Sequence, residues 1–559
     1  MTVSYGLKTV VHNTSFRATN YRLTDQNSAM DTPPVTAADT PTNRGAPETS
    51  LRDWIAANAE KHPDKIFIQS VDQDKAITFG QFKTVCDRMA NYLQSKGIGP
   101  NDRVAMLSNN SIEHLCVYIG GMAYGATVCT IHVEMNAVYF EQILNALQPK
   151  LTLYEDSEDR IVSSGLSGKT PGDWLNLGNW EADGSSTGLY GVLENCVADP
   201  VEPISRWEDD ASIYYTSGTA SAPKGCIVSF RELIENTPPT AEGLGLTEED
   251  RVLEFRAFNW ISAQVLSGLS PLSKGATILL ARKFSQSRYF NWVKKHKATI
   301  GVCNPTGLAM FLNRPIDIHH DDIPHLRFMT SSSAPLMPET WKQFEDKYGV
   351  PVAQGYGCSE IGWIAVSNEN TRKFGSVGKP LAYHKLTIVD GDGKEVPLGE
   401  AGEIELGGFR TNAYRYLDEN GDQRIHAQDR LRTGDLGIMD EDGCVSVTGR
   451  AKDLIIRGGV NISPAEVDNI LLQIPTIAEA ATIGVPDNIY GEEVVCYVAP
   501  KDGATLTTEI VLAHCSTRLP KFRMPKQIIV RNELPKTERG KMNRLLLKEQ
   551  WQEEFGGTE

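Results

Sequence analysis

The chain has 559 residues, 40% apolar and 23% charged, with a formal net charge of −16. That length exceeds one ordinary domain and supplies ample core, while the acidic balance argues against a nucleic-acid-binding surface. Ten cysteines are scattered with no C-x-x-C and no metal-ligand spacing, which points to reduced thiols and a cytoplasmic protein, and no stretch has the length of a membrane span or the form of a secretory signal.

Residues 1–50 are rich in Thr, Asn, Asp, Pro and Ser with little apolar periodicity, and read as a mobile extension. Arg17 and Arg22 among hydroxyl residues raise a transit peptide; Asp25, Asp31 and the lack of an Arg-rich amphipathic pattern speak against it. From Leu51 onward short β-rich runs alternate with helical patterns. Residues 103–108 predict a strand, and Asn110 with Glu113 three residues later predicts the N-cap of a helix through Tyr124. Gly125 ends that helix and 126–131 is the next strand. Residues 156–208, rich in Gly, Ser and Asp, break the rhythm and read as an irregular connection before an apolar strand at 211–214. A strand at 277–281, a helix at 289–296 and a strand at 299–303 resume it. The class is α/β, with a large N-terminal domain of parallel-rich sheets covered by helices. A second boundary falls near Gly449-Arg450-Ala451-Lys452-Asp453. Beyond it a helix at Pro464–Leu472, strands at 480–485 and 494–498, a helix at 508–519 and a strand at Gln527–Val530 suit a small α+β domain.

Tyr215-Thr216-Ser217-Gly218-Thr219-Ala220-Ser221-Ala222-Pro223-Lys224-Gly225 follows the strand at 211–214. Its small residues, hydroxyls and glycines leave a backbone open enough to wrap phosphates. It does not fit the Walker pattern. It resembles the phosphate loop of the acyl-adenylate-forming superfamily of acyl-CoA synthetases, nonribosomal-peptide adenylation domains and beetle luciferases. Further motifs follow in that family's order, and the resemblance covers about residues 51–546. It divides the chain into an extension, 1–50, an adenylate-forming domain, 51–450, and a small mobile domain, 451–559, hinged at Lys452.

The resemblance assigns Thr216, Ser217, Gly218, Thr219 and Lys224 to the departing β,γ-phosphates, with Thr216 among the catalytic residues. Ala220 and Ser221 replace the family's second Thr and its following Gly, and carnitine/crotonobetaine-type CoA ligases, to which the chain is loosely similar, also carry Ser there. Gln354-Gly355-Tyr356-Gly357-Cys358-Ser359-Glu360 resembles G-Y-G-x-T-E. It makes Glu360 the Mg²⁺ ligand, a hard donor for a hard cation. Ser359 meets an α-phosphate oxygen, Tyr356 stacks near the adenine, and Gly355, Gly357 and Cys358 line the nucleotide. Ser331-Ser332-Ser333-Ala334-Pro335 aligns with the adenine-side turn, giving Ser333, Ala334 and Pro335 as contacts; a plain Ser-rich turn is the alternative. Asp435 in Arg432-Thr433-Gly434-Asp435 suits both ribose hydroxyls, and Arg450 is the second ribose contact. Gly458 and Gly459 match the backbone lining the pantetheine passage for CoA. Leu534-Pro535-Lys536-Thr537-Glu538-Arg539-Gly540-Lys541-Met542-Asn543-Arg544 matches P-K-T-x-x-G-K-x-x-R, with Lys541 as the adenylation lysine bridging carboxylate and α-phosphate.

Asn259, Trp260, Gln354 and Gly355 fall where the acid pocket belongs. Phe258-Asn259-Trp260-Ile261-Ser262 lacks the His of the aromatic-His motif common in CoA ligases, and Asn259 lacks the charge that pairs an α-ammonium, against an α-amino acid substrate. Trp260, Tyr356 and Trp363 are either an aromatic wall for an aryl, alicyclic or quaternary-ammonium acid, or ordinary core. The resemblance implies an ATP-, Mg²⁺- and CoA-dependent acid–thiol ligase that forms an acyl-adenylate, releases pyrophosphate and transfers the acyl group to CoA. A separate carrier protein as acceptor, and a non-catalytic nucleotide-binding relative, are the alternatives. No nucleic acid or membrane partner is expected, and homo-oligomerisation is open.

Overall fold

The computed structural model describes residues 49–133, 137–155, 165–216, 224–407, 414–417, 421, 423–426, 430–537 and 541–556. Most of the predicted extension, 1–50, and part of the predicted irregular connection lie outside them. The described chain opens on the helix Leu51–Lys61, closed at its start by a capping box between Ser50 and Asp53.

Two eight-stranded sheets dominate. One runs Gly362–Val366, Val352–Cys358, Phe328–Ser331, Ile300–Cys303, Arg251–Glu254, Thr277–Leu280, Ile66–Ser70, Lys75–Thr78, with parallel pairing inside and an antiparallel strand at each edge. The other runs Gln423–His426, Tyr414–Leu417, Lys224–Ser229, Asp210–Thr216, Thr127–Ile131, Arg103–Leu107, Leu151–Tyr154, Asp173–Asn176, with its last five strands parallel. The central strand Thr127–Ile131 is buried along its whole length, which is why it reads as a run rather than an alternation. One apolar core takes Phe67, Ile68 and Ile278 from the first sheet and Val104, Met106 and Val128 from the second, with Phe82, Leu115 and Leu233 from helices.

Three sequence expectations change. The helix Ile112–Tyr124 is capped by Ser111, whose side chain accepts from the His114 N–H. Asn110 instead donates to the Arg256 C=O at 2.9 Å and accepts from the Phe258 N–H, tying two sheet ends together. The connection predicted as irregular contributes the edge strand Asp173–Asn176 and the short helix Gly188–Leu193, too brief to show a period. A four-stranded antiparallel sheet, Lys385–Val389, Ala401–Gly407, Arg430–Met439 and Val445–Arg450, was not foreseen. Gly125 ends its helix at φ 112°, as expected.

The smaller C-terminal region is built on Ile477–Asp487 and Gly491–Pro500, with Gln527–Val530 parallel to the latter and the helices Pro464–Leu472 and Thr508–Ser516. It has apolar cores of its own, one around Ile462, Val467, Val494 and Val498, the other around Ile483, Tyr497 and Leu547. Arg544 pairs with buried Asp468, joining the C-terminal segment to the helix Pro464–Leu472. Among the described residues no helix is long and apolar enough to cross a membrane. All ten cysteines are thiols outside any disulfide.

Candidate functional site

Cross-strand contacts bring part of the predicted set together in two groups, one around Glu360 and one around Asp435. Asp210–Thr216 and Lys224–Ser229 form an antiparallel pair with Thr216 opposite Lys224, so the loop between them closes a hairpin. Ser217, Gly218 and Thr219 lie outside the described residues; Lys224 is exposed. Tyr416 pairs with Cys226 in register, one strand over. Its hydroxyl donates to Glu360 Oε1 at 2.7 Å, and the Cys226 thiol reaches the Ser359 C=O at 3.4 Å. The hairpin and the Ser359–Glu360 turn are thereby one unit, and Tyr416 is a member that the motifs did not reveal. Burial, then the Glu360 charge, push the Cys358 thiol well up, so it stays a neutral thiol.

The strand Val352–Cys358 carries the segment from Gln354 to Cys358. Gly355 and Gly357 admit no side chain: a Cβ would stand 2.6 Å from the Trp363 ring in the first case and 2.4 Å from the Gly362 C=O in the second. Ser331 pairs with Gln354, which brings the Ser331–Pro335 turn alongside. Ser333 is exposed with φ 75°, a left-handed conformation that costs a non-glycine residue roughly 1 kcal/mol. Ser332 accepts from Arg256, itself paired with fully buried Glu254, and so serves the scaffold.

Asp435 and Arg450 are register partners on neighbouring strands of the antiparallel sheet. Arg450 Nε stands 2.8 Å from Asp435 Oδ1, and the Tyr356 hydroxyl donates to Oδ2 at 2.7 Å. Burial and the Asp435 charge push the Tyr356 phenol far up, leaving it a committed donor. The buried carboxylate thus accepts one donor on each oxygen, and its chemistry suits two hydroxyls equally. Tyr356 is placed by this bond, not free to stack independently.

The acid-pocket residues have a different character. Asn259 is 3% exposed and donates to the Ile131 C=O at 2.9 Å. Gln354 is 5% exposed; its Oε1 accepts from the Leu336 N–H at 3.0 Å. Trp363 is 2% exposed, belongs to the core, and donates its indole N–H to the Ser262 C=O at 3.2 Å. Of the aromatic trio, Trp363 is therefore core, while Tyr356 and Trp260 are both half-buried, Tyr356 bonded to Asp435 and Trp260 stacked with His132.

Lys452 is exposed in the single turn Ala451–Asp453, which follows Val445–Arg450. Gly458 and Gly459 have φ of 57° and 82° and form the exposed two-residue turn between Ile455–Arg457 and Val460–Ile462. Lys541 follows residues 538–540, which are not described; its N–H reaches Thr537 Oγ1 at 3.2 Å and its C=O accepts from the Thr537 N–H at 2.8 Å. These three lie on separate elements, Lys452 two residues beyond Arg450 and the others further along the chain. Among the described residues no three His, Cys, Asp or Glu gather as a metal cage. Glu360 suits instead a hard cation held through one carboxylate, water and an anionic ligand, as Mg²⁺ is held with phosphates.

The AMP-binding enzyme family matches residues 55–416, and the AMP-binding enzyme C-terminal domain matches 466–541. A sulfoacetate–CoA ligase of Cupriavidus necator is 32% identical over 503 residues, covering 89% of this chain and 97% of its own. An oxalate–CoA ligase of Arabidopsis thaliana is 30% identical, covering 88% and 96%. Among solved structures, an anthranilate CoA ligase in complex with anthranoyl-AMP aligns with a TM-score of 0.80 at 25% identity, over 90% of this chain and 97% of that one.

Proposed function

The chain belongs to the AMP-binding enzyme family, and from that premise we propose which residues carry its reaction and which acids it takes. The reaction is that of an acid–CoA ligase: a carboxylate attacks the α-phosphate of ATP, pyrophosphate leaves, and the CoA thiol then displaces AMP from the acyl-adenylate. The enzyme must hold the nucleotide in line, cancel charge on the phosphates and present the acid.

Asp435 receives the ribose hydroxyls, with Arg450 beside it and Tyr356 against the base. The observation that supports this reading is that a buried carboxylate holds one donor on each oxygen, 2.7 and 2.8 Å away. Ser333, Ala334 and Pro335 border the adenine, Ser359 the α-phosphate, and the hairpin from Thr216 to Lys224 the β,γ-phosphates. Glu360, oriented by Tyr416, holds the Mg²⁺, which supplies positive charge to the triphosphate. Lys541 neutralises the approaching carboxylate and α-phosphate. Residues 451–559 form the mobile domain, turning at Lys452 to exchange Lys541 for the Gly458–Gly459 turn, which admits pantetheine. Ten cysteines without a disulfide suit a cytoplasmic site of action.

The acid is short and carries a second anionic group. Trp363 supports the shortness: its indole N–H bonds the Ser262 C=O and its ring lies against Gly355, so bulk stands beside the residues assigned to the acid. Sulfoacetate and oxalate, named for two relatives, are acids of that kind.

The test is AMP release from ATP and Mg²⁺ over short dianionic, short monoanionic, aryl and long-chain acids, with and without CoA. Acid-dependent AMP that rises with CoA, strongest for short dianions, is the expected result. Pyrophosphate exchange without CoA turnover would move the acceptor to a carrier protein, and silence throughout would remove the ligase assignment.

A further inference from the structure

We propose that His132, held on the face of Trp260, is the specificity-determining residue that receives the second anionic group of the acid; this rests on the ligase reading above. His132 follows the strand Thr127–Ile131, in which Thr130 pairs with Tyr214. Continuing that parallel register by two residues sets His132 beside Thr216, where the phosphate hairpin begins. Its imidazole stacks on the Trp260 indole with centroids 5.8 Å apart and planes 26° from parallel, and both residues are only half-buried. The pair thus lies between the start of the phosphate hairpin and the segment assigned to the acid.

The support beneath this pair exceeds what a partly exposed packing contact requires. Asn259 Nδ2 donates to the Ile131 C=O at 2.9 Å, one residue before His132 and one before Trp260. Gln264 Nε2 donates both to the Phe258 C=O at 2.6 Å and to Thr130 Oγ1 at 3.1 Å, and its Oε1 accepts from the Tyr118 hydroxyl at 2.8 Å. All of these groups are buried, so the two ring-bearing segments are locked in one relative position. Gln264 also opens a fully buried π-helix, Gln264–Leu269, a form of helix concentrated at functional sites.

The chemistry of the pair selects its ligand. The indole face holds the imidazole by its ring plane. An imidazole ring N–H is a donor, and a carboxylate or sulfonate bound to it makes a charge-assisted hydrogen bond. The missing His of the Phe258–Ser262 segment is therefore replaced by one arriving from another strand, 128 positions earlier than Trp260.

The experiment compares KM for malonate and sulfoacetate with KM for butyrate and isovalerate, in the full-length enzyme and in His132→Phe and His132→Gln. Phe keeps the stack and removes the donors; Gln keeps one donor. We expect His132→Phe to raise the dianion KM by about 10-fold or more, with the monoanion KM and kcat within about 2-fold, and His132→Gln to fall between. Equal changes for both acid classes, or a wild type that takes only monoanionic, aryl or long acids, overturns the inference while leaving the ligase reading intact. AMP release with no acid at all removes the ligase reading and the inference together.

Discussion

The ribose end and the acid end of the site use polar side chains in opposite ways. Asp435, Tyr356 and Arg450 are bonded to one another, side chain to side chain. Asn259 and Gln354 are bonded to main-chain groups, at Ile131 and Leu336. The first set is bonded within itself, so a ligand hydroxyl could join the Asp435 carboxylate without orphaning a main-chain group. The second set cannot leave without orphaning a buried backbone group, which costs about 1–3 kcal/mol. The proposed nucleotide site is thus built on side-chain charge, and the proposed acid site on side chains fixed to the main chain.

The largest effect should come from outside both ends. Lys541→Ala is expected to lower acyl-adenylate formation by roughly 100-fold or more, while transfer from a supplied acyl-adenylate to CoA stays within about 3-fold. Parallel single-turnover assays of the two half-reactions check it, and equal losses in both would refute the two-position hinge at Lys452. Asp435→Ala should raise KM for ATP by roughly 30- to 100-fold through two lost charge-assisted bonds, with little change in KM for the acid. Initial-rate kinetics in each substrate decide this, and an acid-side effect of the same size would erase the contrast between the ends.

On the acid side, Trp363→Leu should let longer acids in, raising kcat/KM for a six-carbon acid by about 10-fold while lowering thermal stability, since it opens the core. An unchanged chain-length profile would place the pocket elsewhere. Gln354→Leu should cost about 1–3 kcal/mol of stability by leaving the Leu336 N–H unpaired, seen in a denaturant titration, with KM for ATP nearly constant. The smallest effect is expected for Tyr416→Phe, a rise of about 2- to 5-fold in the Mg²⁺ concentration needed for half-maximal rate, because Glu360 keeps its charge and loses only its orienting donor.

The structure brings some of the motif residues together: Asp435 meets Arg450 and Tyr356, and Glu360 meets Tyr416 on the strand beside the hairpin. In the C-terminal region the boundaries of Pro464–Leu472 and Gln527–Val530 were read correctly from periodicity, since each is a short amphipathic element on one core. The antiparallel sheet was not legible: its strands belong to a region whose turn-rich sequence has no repeating αβ rhythm, and their pairing is a long-range fact. Ser111 took the N-cap from Asn110 for a similar reason, the Asn110 amide being claimed by Arg256 and Phe258 from another strand end.

The sequence by itself determined the chemistry: the family and the activation of an acid. Those are local properties, legible wherever residue type and spacing suffice. Only the tertiary structure decided which side chains meet around the motif residues. It set Tyr416 against Glu360, Trp363 behind Gly355 and His132 on Trp260, pairs distant in the chain except for the second. Substrate choice depends on such meetings, and they arise from how sheet ends pack, which no local pattern encodes.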